Sequence, residues 1–139
     1  MQLIGTRLGI LAGLSVATLF GAGLAAATPA LQLSQTTGVS AGQTISATVD
    51  GLGAGLGSVA VGQCKAQVAG PADCNLAGSL LGKADEQGRW QPNGGSGAIT
   101  LVGSIGGVDC AASAGACIIA VTSLNDPTNI LLATPLTFG

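Results

Sequence analysis

The chain contains no histidine and no tyrosine. The first absence removes Ser-His-Asp and Cys-His nucleophilic arrangements, and imidazole acid–base chemistry with them. Aromatic residues make up only 2% of the sequence, too few to build stacking platforms for nucleic-acid bases. Charge is scarce as well. Beyond residue 27, three basic side chains (Lys65, Lys83, Arg89) stand against six acidic ones, a net charge of −3. Such a surface neutralises few phosphates, so direct binding of nucleic acid by the protein is not expected.

What is present begins with a targeting segment. Arg7 supplies a positive start, Leu8 to Leu24 carries no charge, and Ala25-Ala26-Ala27 offers small residues for cleavage. Residues 1–27 are therefore expected to be a secretory signal peptide, with residues 28–139 as one exported domain. The alternative is a retained anchor, because the 20 residues from Leu8 to Ala27 are just enough to span a bilayer. Four glycines in the apolar run (Gly9, Gly13, Gly21, Gly23) and no stop-transfer charges after it favour cleavage. After cleavage no membrane contact is expected.

An exported domain of this size with four cysteines reads as two disulfides, for which three connectivities exist. Nearest-neighbour pairing, Cys64–Cys74 and Cys110–Cys117, closes short local loops. Each would contribute roughly 2.5–3 kcal/mol by restricting the unfolded chain. A zinc site is disfavoured by the cysteine spacings and the missing histidine.

Strand signals recur every ~8–14 residues, the rhythm of a β-sandwich. Thr44 to Val49 alternates, placing Ile45, Ala47 and Val49 on one face. Val59 and Val61 share a face in the run that ends at Cys64. Ala116 to Thr122 is the most apolar strand beyond the leader and is expected to be central. Ile130 to Phe138 is expected at an edge, because Pro135 cannot donate to a ladder. Leu31–Ser34, a strand beginning at Leu80, the short piece Arg89–Gln91 and Ala98–Val102 complete a sandwich of about seven strands. Gly103 to Gly107 reads as a loose turn, and Asn125-Asp126-Pro127 turns the chain. The glycine run from Gly51 to Gly57 fails the dinucleotide fingerprint, since Leu56 stands where the third glycine belongs.

Catalytic groups are hard to assemble. Asp73 and Asp109 each precede a cysteine and could pair, but the simpler expectation is that they sit at solvated loop starts or accept from nearby backbone amides. Asp85-Glu86 reads as a solvated turn. Trp90 is equally suited to lining a pocket and to closing one end of a small core. No enzymatic activity and no metal are expected.

Gly42-Gln43-Thr44, Gly51-Leu52 with Ala54-Gly55, Val61-Gly62-Gln63-Cys64, Cys74-Asn75, Val108-Asp109-Cys110, Ala116-Cys117 and the terminal Thr137-Phe138 occur in a telling order. Over Leu31 to Phe138 the chain resembles the neocarzinostatin family, the apoproteins of enediyne chromoprotein antibiotics. The resemblance implies a seven-stranded antiparallel immunoglobulin-like β-sandwich, the local disulfides Cys64–Cys74 and Cys110–Cys117, and secretion by an actinobacterium. It implies a carrier that holds a reactive apolar chromophore non-covalently and shields it; the released chromophore, not the protein, attacks DNA, giving an antimicrobial agent. No other cofactor is implied, and a monomer is expected.

Carried over position by position, Gly62, Gln63, Cys64 and Cys74 match the family's ligand-binding wall. Three further cleft positions depart from it: Ala66 and Ser79 stand where aromatics are typical, and Ile118 where a polar residue is. Gly94-Gly95-Ser96-Gly97 replaces a Phe-rich loop, and the loop from Cys110 to Cys117 is longer by two residues. Two functions follow. One is a secreted carrier of an enediyne-like or other apolar small molecule, held between the loop from Cys64 to Cys74 and the strand from Ile118 to Thr122. The other is a secreted or cell-envelope interaction module that kept the scaffold and lost the ligand. A deep apolar cleft lined by Ala66, Leu76 and Ile118 would favour the carrier.

Overall fold

A computed structural model describes residues 28–126 and 130–139. The leader expected over residues 1–27 lies outside the described residues, as does Pro127 of the expected turn. Among the described residues eleven strands are present: β1 (Ala30–Leu33), β2 (Thr37–Val39), β3 (Thr44–Asp50), β4 (Val59–Lys65), β5 (Leu80–Ala84), β6 (Trp90–Pro92), β7 (Ala98–Thr100), β8 (Ser104–Ile105), β9 (Val108–Asp109), β10 (Cys117–Ser123) and β11 (Ile130–Phe138). They form a six-stranded sheet in the order β2-β11-β10-β4-β5-β6, a three-stranded sheet β1-β3-β7 and a two-stranded ribbon β8-β9. The protein is an all-β sandwich.

Alternation builds the core. Ile45, Ala47 and Val49 of β3 are buried while their neighbours are exposed, and Ile99 of β7 joins them. They meet Val59 and Val61 of β4, Ile119 and Val121 of β10, and Leu136 of β11. Each such side chain contributes about 1.5–3 kcal/mol through burial. Trp90 belongs to this core at 4% exposure, and its Nε1 donates to the Val59 carbonyl at 3.2 Å. As expected, β10 is central, flanked by β4 and β11 along its length.

The count exceeds the expected number because β2, β8 and β9 have two or three residues each, too short to display a period. Gly103 to Gly107 is not a loose turn. Gly106 and Gly107 both take positive φ, 57° and 83°, between β8 and β9. That is the backbone of a two-residue hairpin, which a side chain at either position would disfavour. Strand β11 is an edge only in part. Its last two residues pair in parallel with β2, through Thr137↔Thr37 and Phe138↔Val39. Pro135 lies on the stretch flanked by β10 alone, where its missing N–H leaves no partner unmet.

Candidate functional site: an apolar cleft on the outer face of the large sheet

Because side chains alternate along β4, burying Val59, Val61 and Gln63 between the sheets sends Ala60, Gly62 and Cys64 to the other face. Register with β10 sets Ala120 opposite Gly62 and Thr122 opposite Ala60. These small residues floor a cavity of about 460 Å³. One wall is the loop closed by Cys64–Cys74, which contributes Val68, Ala69, Gly70 and Pro71. The rest of the rim comes from Leu76, Ser79, Leu81 and Leu124. Leu76, Leu81 and Leu124 are the three large hydrophobic side chains most exposed among the described residues, at 61, 49 and 43%, and all three border this cavity. Scattered exposed leucines are ordinary; three converging on one concavity mark a surface built to be covered.

Gly62 has no side chain, and Ser79 packs over it in the space one would fill. A Cβ there would collide with the Ser79 side chain and come within 3.2 Å of its Cα. Ser79 is itself fixed, its hydroxyl donating to the Asn75 carbonyl at 2.8 Å. The loop wall is braced from behind. Asp73 accepts from the Ala69 amide at 2.7 Å and the Gly70 amide at 3.2 Å, and pairs with Lys65 Nζ at 3.2 Å. The Ala69 amide first, then Lys65 and Gly70, hold its carboxyl below the ordinary value of 3.8. The tip of the β8-β9 hairpin packs here as well, with Gly106 beside the Lys65 stem and the Asp73 carboxylate.

A second cavity of about 460 Å³ lies between β3 and β6, bordered by Asp50, Arg89 and an edge of Trp90. Its rim carries the solvent-exposed Asp50–Arg89 pair at 3.3 Å and none of the exposed leucines. It is the less apolar of the two, and the outer-face cleft is the better candidate.

A family model described as the neocarzinostatin family matches residues 31–138. The chain belongs to that family. Two solved structures of similar fold are macromomycin, at TM-score 0.59 and 23% identity over 80% of this chain and 99% of that one, and apokedarcidin. The solution conformation of the latter gives TM-score 0.55 and 22% identity over 81% of this chain and all of the other. No curated protein sequence matches the chain.

Of the residues singled out from the family motif, Gly62, Cys64, Cys74 and Ser79 line the cleft. Gln63, Ala66 and Ile118 do not. Gln63 points the opposite way and is 1% exposed. Its amide donates to the Val102 carbonyl and accepts from the Val102 N–H, both at 2.8 Å, and touches Cys110 Sγ at 3.4 Å. That pairing ties β4 to the chain entering the ribbon. Ala66 sits exposed at the outer end of the loop, its N–H donating to the Ala116 carbonyl at 3.0 Å. Ile118 lies beside the cleft, packed with Cys64, Ala120 and Val68, and supports the wall from its end.

Ala120 and Thr122 lie on the strand expected to border the cleft, whereas Ala60, Leu81 and Leu124 were not foreseen as lining. Parity from Val59 and Val61 predicts the β4 and β10 positions once the register is known. The adjacent pair Leu80-Leu81 also carried a signal, because one of two neighbouring strand residues must face away from the core. Nothing in the sequence marks Leu124.

Proposed function

We propose that the protein is a non-enzymatic carrier that holds an apolar small molecule non-covalently in the outer-face cleft. The observation that carries this reading is the convergence of Leu76, Leu81 and Leu124 on a cavity of about 460 Å³ with a floor of small residues. That volume falls within the ~300–1,000 Å³ range of small-molecule sites. Affinity would come from excluding water from apolar surface, at about 25 cal/mol per Å², less the cost of immobilising the ligand. Family membership supports the same reading, with export after cleavage behind Ala27 and shielding of the bound molecule as its biological consequence. The exposure of Leu76 also suits contact with a protein, the surface an interaction module would use.

Native mass spectrometry of the protein recovered from its producing cells and their medium tests the carrier. The expected spectrum shows a small added mass that disappears on denaturation, on a chain beginning at Thr28. A bare chain from medium and cells alike would count against a carrier, and co-purification with a protein would favour the module.

A further inference from the structure

We propose that the cleft selects an uncharged, saturated and non-planar ligand, an alicyclic or branched aliphatic molecule with a hydroxyl, over a flat aromatic one. This rests on the carrier reading and names its ligand class.

A planar aromatic ligand gains most where rings can stack on it. Among the described residues the aromatics are Trp90 and Phe138, and neither borders the cleft. Trp90 is buried in the core, and Phe138 packs against the Cys110–Cys117 cluster. Among the described residues no charged side chain lines the cavity either. Lys65 and Asp73, behind the wall, satisfy each other. A carboxylate or ammonium would lose its water there without a partner.

The apolar surfaces that are present are aliphatic methyls, the Pro71 ring and the Cys64–Cys74 bridge. Leu76, Leu81 and Leu124 stand around a floor of Ala60, Gly62 and Ala120 in a cavity of about 460 Å³. Many weak dispersion contacts reward a thick, knobbly solid in such a space, where a flat ring would leave gaps along its faces. The polar groups are also selective. Ser79 already donates its hydroxyl hydrogen to Asn75, so toward the cleft it can only accept. Together with the Thr122 hydroxyl it suits a ligand O–H.

Decahydro-2-naphthol and 2-naphthol share ten ring carbons and one hydroxyl and differ in saturation, which makes them a matched pair of probes. Each is titrated into isotope-labelled protein and followed by NMR. The expected result is saturable shifts at Gly62, Leu76, Leu81 and Ala120, with the saturated probe favoured about fivefold after correction for water-to-octanol partition. The Leu81→Glu variant, folded by thermal unfolding, should lose that binding by about tenfold or more. Equal or tighter cleft binding of 2-naphthol overturns the ligand class and leaves the carrier standing. No saturable shift at the cleft with either probe overturns both. Unchanged binding in folded Leu81→Glu places the site elsewhere and overturns the assignment. Shifts that follow protein concentration alone put a second copy in the cleft and overturn it too.

Discussion

Cys64–Cys74 and Cys110–Cys117 are the same covalent device, with sequence separations of 10 and 7, put to opposite uses. Cys110 and Cys117 are both fully buried, packed among Ile105, Val102, Val108 and Phe138. Cys64 and Cys74 face the cleft, and the loop they close forms its wall. Loop closure alone predicts nearly equal stabilisation, about 2.5–3 kcal/mol each, because that effect acts on the unfolded chain. The difference lies in the folded surroundings. One bridge is frame, sealed in apolar contacts and touched by Gln63; the other shapes a concave surface and is left partly open to solvent.

Removing each bridge separates the two roles. Cys110→Ala with Cys117→Ala should show the largest stability loss, about 4 kcal/mol by urea denaturation, since space left by two buried sulfurs adds to loop closure. At temperatures where it remains folded, its affinity for decahydro-2-naphthol should stay within about twofold of the parent. Cys64→Ala with Cys74→Ala should cost about 3 kcal/mol and weaken the same probe by about tenfold or more. Equal loss of binding in both variants would abolish the distinction between frame and wall. Gln63→Leu sharpens it further. Val102 would lose both partners in a largely dry site, at about 2 kcal/mol, with cleft affinity unchanged. A folded Gln63→Leu protein with impaired binding would return Gln63 to the ligand site.

The same contrast shows what could be read from the chain alone. The core faces of β3 and β4 were legible because period-two alternation is local: Ile45, Ala47 and Val49 needed no knowledge of their partners. Gly62, Cys64 and Cys74 were marked as cleft residues through a motif, not through periodicity. Gln63 shows the limit of that motif. Its parity with Val59 and Val61 already turns it inward, but its partner, Val102, lies 39 residues away and depends on how β7 leads into the ribbon. The hairpin at Gly106-Gly107 was hidden because strands of two residues have no period. Leu124 lies one residue past β10 and is held at the cleft by its N–H bonding the Ser58 carbonyl, a long-range pairing. Long-range register is what the sequence does not display.

The smallest expected effect concerns the brace behind the wall. In the unfolded chain Asp73 titrates near 3.8; in the folded protein the amides of Ala69 and Gly70 and the Lys65 ammonium hold it lower. The ionised form is therefore favoured by folding. Its contribution is fully present above about pH 3.8 and is lost as pH falls through the lower folded value. Because the bonds of this carboxylate are confined to residues 65–73, the consequence should be local. The Ala69 and Gly70 amide resonances should move together in acid, with a midpoint below 3.8, while the sheet amides of β4 and β10 stay in place. In Asp73→Asn that transition should vanish, and hydrogen exchange at both amides should be faster at neutral pH. Slower binding and release of decahydro-2-naphthol in the parent than in Asp73→Asn would tie the brace to the wall. Unchanged exchange at Ala69 and Gly70 would mean that the disulfide alone holds the loop, and the two bridged loops would then differ in burial but not in how they are secured.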